Sequence, residues 1–343
     1  MAEERMDTMV IDFDRVKNAP RLLMEANLKP IQGLRFQPTG FPDLGAARYT
    51  APDGTEMLLV ESAQSVANRM ELACWDDATD DLIDGLRGLP YIFVKLPDGR
   101  KLTNSILESH RINSPYILEG EDKKVFDLLK AGAARMEIGP VKISDLAKLV
   151  LKYDPNAVLH GVFLAKKELA GGRLRMTRLL TGFIEAHNIK VAESGGVKID
   201  RVDPSGDTKS GFGNVPFART EFTAEEIKAY FNFDLALLRG YGLGESATNL
   251  LIALGLFKIR RILSVGLRLR TACDLEMIND ISVTHPNGFI VPDERSLLVE
   301  CQNLIKRCTD EHLFASPPVT EVSWKPAKEK KKKDSKEPSE TEE

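Results

Sequence analysis

Cysteine is scarce: the 343 residues hold 4, at Cys74, Cys273, Cys301 and Cys308, with no C-x-x-C pair among them. That spacing excludes a disulfide scaffold and a zinc quartet, and the four read as reduced thiols. Long apolar runs are missing as well. The longest, around Leu250 to Phe257, falls far short of the roughly 18–20 residues that a membrane span needs. The start, Met1-Ala2-Glu3-Glu4-Arg5, is acidic and lacks the apolar core of a signal peptide, so a cytoplasmic protein without a membrane partner is expected. The histidines, His110, His160, His187, His285 and His312, stand far apart, with no H-x-x-x-H or H-E-x-x-H, and no metal site is expected. There is no P-loop G-K-[ST]. Gly211-Phe212-Gly213 and Gly240-Tyr241-Gly242-Leu243-Gly244 lack the strand-turn-helix setting of a dinucleotide site, so no cofactor is expected either.

An excess of positive charge is also absent: 47 Lys+Arg against 51 Asp+Glu leave a formal net charge of −4. The sum argues against general affinity for polyanions, but the distribution is uneven. Lys258, Arg260, Arg261, Arg268 and Arg270 fall in a stretch without an acid, and Lys166, Lys167, Arg173, Arg175 and Arg178 face only Glu168. These are either basic surfaces or solvated faces of ordinary elements.

What the chain has is periodicity. Leu22, Met24, Ala26 and Leu28 alternate with Glu25, Asn27 and Lys29, which predicts a strand with one wet face. Ile227, Ala229, Phe231, Phe233, Leu235 and Leu237 predict a second strand, and Val265, Leu267, Leu269, Thr271, Cys273 and Leu275 a third. Between these last two, Glu245 to Leu263 has helical spacing. After the first strand, a loop rich in Pro and Gly leads to an apolar run, Met57 to Val60, and a helix over Ser62 to Ala73. Two strand-helix units of this kind predict an α+β fold on the ferredoxin-like split βαβ plan. Large insertions are then expected within about 76–220, including strands over Val158 to Ala165 and Gly182 to Ile189 and a loop over Ser205 to Asn214. A lead-in of 1–20, one domain over 21–322 and a disordered charged tail over 323–343 complete the expected organisation.

Two constellations suit a nucleic acid. The helix from Ser62 stacks Ser62, Ser65 and Arg69 beside Gln64 and Asn68, a low donor surface fit for a phosphate and ribose. The loop Gln32 to Gly45 carries Arg35, Gln37, Thr39 and two exposed-looking phenylalanines, Phe36 and Phe41, fit for stacking and hydrogen bonds. Either set also suits an ordinary surface helix or a loop capping its own core. Ser109-His110-Arg111, Glu61, Asp43 and Asp274 are the candidate acids or bases, none with a partner that marks a catalytic set.

Three blocks together resemble one family: Arg35-Phe36-Gln37-Pro38-Thr39-Gly40-Phe41-Pro42-Asp43-Leu44-Gly45-Ala46, then Val60-Glu61-Ser62-Ala63-Gln64-Ser65-Val66-Ala67-Asn68-Arg69-Met70-Glu71, then Gly266-Leu267-Arg268-Leu269-Arg270-Thr271-Ala272-Cys273-Asp274-Leu275. They resemble the CRISPR-associated RAMP superfamily, and within it the backbone, or Cas-seven, subunit of the type I-U (I-G) Cascade interference complex. The likeness runs from about Arg21 to Asn287. It implies an RRM-like palm with inserted fingers and thumb. It also implies copies that line up along a CRISPR RNA, other Cascade subunits, and a guide presented to target DNA in antiviral defence. The subunit is then not expected to be an enzyme. The resemblance points to Arg35, Gln37, Thr39, Gln64, Ser65, Asn68 and Arg69 as RNA contacts, then to Arg268 and Arg270. His110, Arg111, Arg173, Arg175 and Lys209 follow, chosen for charge within insertions. The thumb is expected either near Lys209 to Val215 or near Thr103 to Asn113. The rival readings are a RAMP endonuclease, acting through His110 or Asp43, and an unrelated metabolic enzyme.

Overall fold

The alternation that begins at Arg21 becomes the centre of a sheet. In the computed structural model, which describes residues 10–41 and 43–325, β1 (Arg21–Pro30) buries Leu22, Met24, Ala26 and Leu28 and leaves the other parity half-exposed. Two further strands, β2 (Arg48–Thr50) and β3 (Glu56–Glu61), lead into helix α1 (Ala63–Leu72). Ser62 caps that helix by accepting the backbone N–H of Ser65 at 3.3 Å, and Val66, Ala67 and Met70 form its buried stripe. After a long insertion the chain returns through a short hairpin, β4 (Val162–Leu164) and β5 (Leu174–Met176), to β6 (Leu180–His187). Next come β7 (Lys190–Lys198) and β8 (Val215–Thr223), then β9 (Glu226–Asp234), α2 (Glu245–Val265), β10 (Arg268–Arg270), β11 (Cys273–Met277) and β12 (Ser282–His285).

The main sheet runs in the order β10-β11-β1-β9-β6-β3-β2, and β12 pairs with the other part of the β1 edge. Each of the pairs β1 with β9, β6 with β9 and β1 with β11 is antiparallel. Hence α1 lies in the crossover between the parallel strands β1 and β6, and α2 in that between the parallel strands β9 and β11, the two crossovers interleaving. The protein is a mixed α+β fold. Both helices cover the apolar face, whereas Glu25, Phe183, Tyr230 and Lys228 stand on the other. On that second face, Phe183 stacks on Tyr230 with centroids 5.2 Å apart, and the Tyr230 hydroxyl meets His187 Nε2 at 3.1 Å.

The insertion contributes helices Lys124–Ala133, Ile143–Tyr153 and Pro155–His160 and strands Tyr91–Lys95 and Lys101–Asn104. Strand Val319–Ser323 pairs in parallel with Tyr91–Lys95, while helix Glu294–Asp310 packs on α2. Several sequence expectations shift. The alternation from Val265 is not one strand, because Val265 ends α2 and a turn at Thr271-Ala272 folds the remainder into a hairpin. Leu235 and Leu237 leave the second strand for a short helix, Leu235–Gly240, capped by Asp234. Val158 to His160 are helical, so only Val162–Leu164 of that expected strand forms. At the expected tail, Ser323 still belongs to a strand and the Trp324 ring meets Tyr116 edge-on at 5.1 Å; residues 326–343 lie outside the described residues.

Candidate nucleic-acid interface

The loop after β1 is held by backbone bonds on both sides. Ile31 N donates to Asp274 O at 3.0 Å and Gln37 N to Ala272 O at 2.7 Å, which ties it to the β10–β11 hairpin. Phe36 and Phe222 exchange two backbone bonds of 2.9 Å, which ties it to the base of β8. Phe36 is therefore buried at 1% exposure, contrary to its expected role as an open stacking ring, whereas Phe41 is 40% exposed. Between loop and hairpin lies a cleft of about 430 Å³ lined by Gln32, Gly33, Arg35, Glu221, Arg268 and Asp274, among others. Arg35 and Arg268, 233 positions apart in sequence, line the same cleft. The Arg35 side chain is 57% exposed and meets Glu221 at 3.3 Å, a carboxylate that also lies 3.8 Å from Arg219. Arg35 is the solvent-exposed half of this pair and Glu221 the buried half, so a phosphate can reach Arg35 from outside while Glu221 keeps Arg219 as a partner.

Behind the cleft stands a cluster that the sequence pattern read differently. Glu61, with 2% of its side chain exposed, accepts from Ser65 Oγ, from Arg69 Nε at 3.4 Å and from Arg270 Nη2. Arg69 also donates to Leu269 O at 2.6 Å, and Arg270 to Gln37 O at 2.8 Å. Arg69 and Arg270 were expected as RNA contacts; both are spent on internal bonds that lock α1, the loop and the hairpin together, with 25% and 23% of their side chains left exposed. Ser65 is likewise turned inward to Glu61. Gln37 and Thr39 act here through their backbones, Thr39 N donating to Val60 O at 3.0 Å.

The exposed part of α1 extends this surface. Gln64 donates to Asn68 at 2.9 Å and accepts from Arg178 at 2.7 Å, and Arg178 also caps Ala63 O at 3.0 Å. Arg178, not among the expected site residues, joins the helix to the β4–β5 hairpin, where Arg175 is exposed. Arg173 instead donates to the carbonyls of Ala170, Gly139, Met136 and Glu137, a structural clamp. Arg111 is a clear correction. It is buried in a bidentate pair with Glu71 at 2.6 and 2.7 Å, because the segment after Asn104 turns into the core. His110 beside it is exposed. Lys209 is exposed near the end of the arm formed by β7 and β8. The acid-free basic stretch is largely internal: Lys258 is 0% exposed, Arg260 pairs with Asp280, and Arg261 pairs with Glu294 at 2.6 Å. Among the described residues no group of acids, histidines and cysteines has metal-ligating geometry, and no helix is long and apolar enough to cross a membrane.

The model of the family described as CRISPR-associated protein GSU0053 matches residues 22–191, the part that carries β1, the loop, Glu61, α1 and the β4–β5 hairpin. Just under half of this chain therefore carries the pattern of that CRISPR-associated family. Two of the three sequence blocks, 35–46 and 60–71, fall within the match and agree with it on a RAMP subunit of the Cas-seven type, while the third, 266–275, lies beyond it. Among solved structures, a chain of a "CRISPR RNA-guided surveillance complex, pre-nicking" is 17% identical with a TM-score of 0.39, over 75% of this chain and 74% of that one. Csc2 of Thermofilum pendens is 8% identical with a TM-score of 0.31, over 88% and 80%. With both scores below 0.5, the fold described above rests on this chain's own topology. None of the curated proteins matches.

Proposed function

We propose that this CRISPR-associated chain is a backbone subunit of a type I Cascade complex. Copies of it would line up along a CRISPR RNA, next to other Cascade subunits, and present the guide to target DNA in the cytoplasm. The observation that carries the reading is the cleft in which Arg35 and Arg268 converge beside a rigid loop. That geometry suits phosphate and shape contacts, and base pairing by the guide then supplies the sequence recognition. The interleaved crossovers serve as an RRM-like, ferredoxin-like palm. The residues between α1 and β6 supply fingers, and the β7–β8 arm serves as the thumb in preference to Thr103 to Asn113, which is packed into the body. Nine residues of strand give this arm a length of about 30 Å. A two-stranded ribbon of that length is marginal alone and gains from lying on a partner. In this reading the chain cuts no RNA: His110 and Asp43 are exposed, and neither has a hydrogen bond or an ion pair from its side chain among the described residues.

The test is equilibrium binding of a repeat-spacer RNA at several salt concentrations. Arg35→Ala and Arg268→Ala should each weaken binding for all sequences alike and reduce the slope of log affinity against log salt by about 0.7. If both variants retain the wild-type slope, the cleft is not the RNA site.

A further inference from the structure

The β4–β5 hairpin presents an aromatic ring that the fold does not use. In register, Phe163 stands directly opposite Arg175, while their neighbours Val162, Leu164, Leu174 and Met176 point into the core. Phe163 is 49% exposed. Among the described residues its ring joins no aromatic pair and has no cation over its face. Arg175 has no ion pair or side-chain hydrogen bond among them, although Arg173 and Arg178, on either side, are both fully engaged. The mounting is stiff. Gly172, at φ +71°, lets the turn approach so closely that a Cβ would lie 2.6 Å from Ala165 O, and Gly161, at φ +78°, does the same against Met176 O at 2.9 Å. A rigid ring beside an unpaired guanidinium, in a segment of five cations and one acid, is the arrangement that holds a base by its face and a phosphate by its charge.

We infer that the outer face of this hairpin is a stacking site for one unpaired nucleotide, its base on Phe163 and its phosphate on Arg175. The inference rests on the proposed function and adds to it a second contact, separate from the Arg35–Arg268 cleft. The nucleotide comes either from the guide RNA or from a DNA strand paired with it, two sources that share this chemistry.

Photocrosslinking separates them. Particles are assembled on RNA carrying 5-iodouridine, or on plain RNA and then loaded with complementary DNA carrying 5-iododeoxyuridine; after irradiation the adducts are mapped by mass spectrometry. An adduct at Phe163 in one arm is expected and names the source. Phe163→Ala should then weaken binding of that strand about tenfold, with Phe163→Trp within about twofold of wild type. Because Phe163 is on the surface, both variants should fold, which their thermal midpoints check. A wild-type particle that assembles on RNA but gives no adduct at Phe163 in either arm overturns this inference alone. Absence of any RNA-containing particle overturns the proposed function with it.

Discussion

Replacing Glu61 with glutamine removes one negative charge from beneath two arginines. In the folded protein Glu61 has 2% of its side chain exposed and binds Ser65, Arg69 and Arg270. Leaving one partner of a buried ion pair uncompensated costs about 3–5 kcal/mol. Here the cost is smaller. Arg69 and Arg270 keep 25% and 23% of their side chains in water, and each retains a backbone acceptor, Leu269 O and Gln37 O. About 2–3 kcal/mol is therefore expected for Glu61→Gln. For a chain of this size that corresponds to a fall of about 3–4 °C in the thermal midpoint. Differential scanning calorimetry and urea titration, both on RNA-free protein, read the effect directly. The loop, α1 and the β10–β11 hairpin meet at this carboxylate, so the loss should be a single cooperative shift. A Glu61→Gln protein with the wild-type thermal and urea midpoints would refute the claim that this cluster fastens the interface together.

Arg69→Ala should likewise lower the thermal midpoint of RNA-free protein, which a surface RNA contact would leave unchanged. Asp154 is fully buried, its Oδ2 has no hydrogen-bond partner, and burial raises its pKa from 3.8 to about 6. Its folded form keeps the proton that the unfolded chain loses, so the stability it confers is present below pH 3.8 and lost as pH rises through 6. Asp154→Asn should accordingly gain on wild type by about 2 kcal/mol between pH 4 and pH 7 in urea unfolding; a constant difference contradicts this. His160 acts in the opposite sense: burial, with Lys258 beside it, lowers its pKa, so its contribution is present above 6.5 and lost on acidification. Burial also pushes the thiols up, Cys273 to about 11 and Cys308 to about 12, with Cys74 and Cys301 raised as well. A thiol reagent at pH 8 should label none of the four until the protein is unfolded, and rapid labelling of any in the native state would count against the packing described.

Local periodicity made much of the fold legible. Leu22, Met24, Ala26 and Leu28 carry a period of two because one face of β1 is covered by helices and the other is half-open. Ser62 announces α1 because an N-cap is a local device. The acid-free run from Lys258 misled for the complementary reason. Helix α2 has core on both sides, toward the sheet and toward Glu294–Asp310, and the acids for Arg260 and Arg261 come from Asp280 and Glu294, beyond the run. Arg268 and Arg270 share one parity yet part company: Arg268 lines the cleft, while Arg270 is drawn to Glu61, 209 positions away. Glu61, Glu221 and Arg178 organise the candidate interface through contacts between distant segments, which no window of sequence displays. Phe163 is no different: it lies three positions ahead of the cationic segment that begins at Lys166, inside an expected strand, and its outward face is set by the hairpin register rather than by any local signal.

The central claim is that this chain assembles on a guide RNA. Light scattering with ultraviolet absorbance, on protein co-expressed with a repeat-spacer RNA and its partner Cascade subunits, tests it most directly. The account predicts a large, nuclease-resistant particle containing several copies of the chain and RNA of defined length. A monomer or dimer free of nucleic acid, with the partners present, would contradict it.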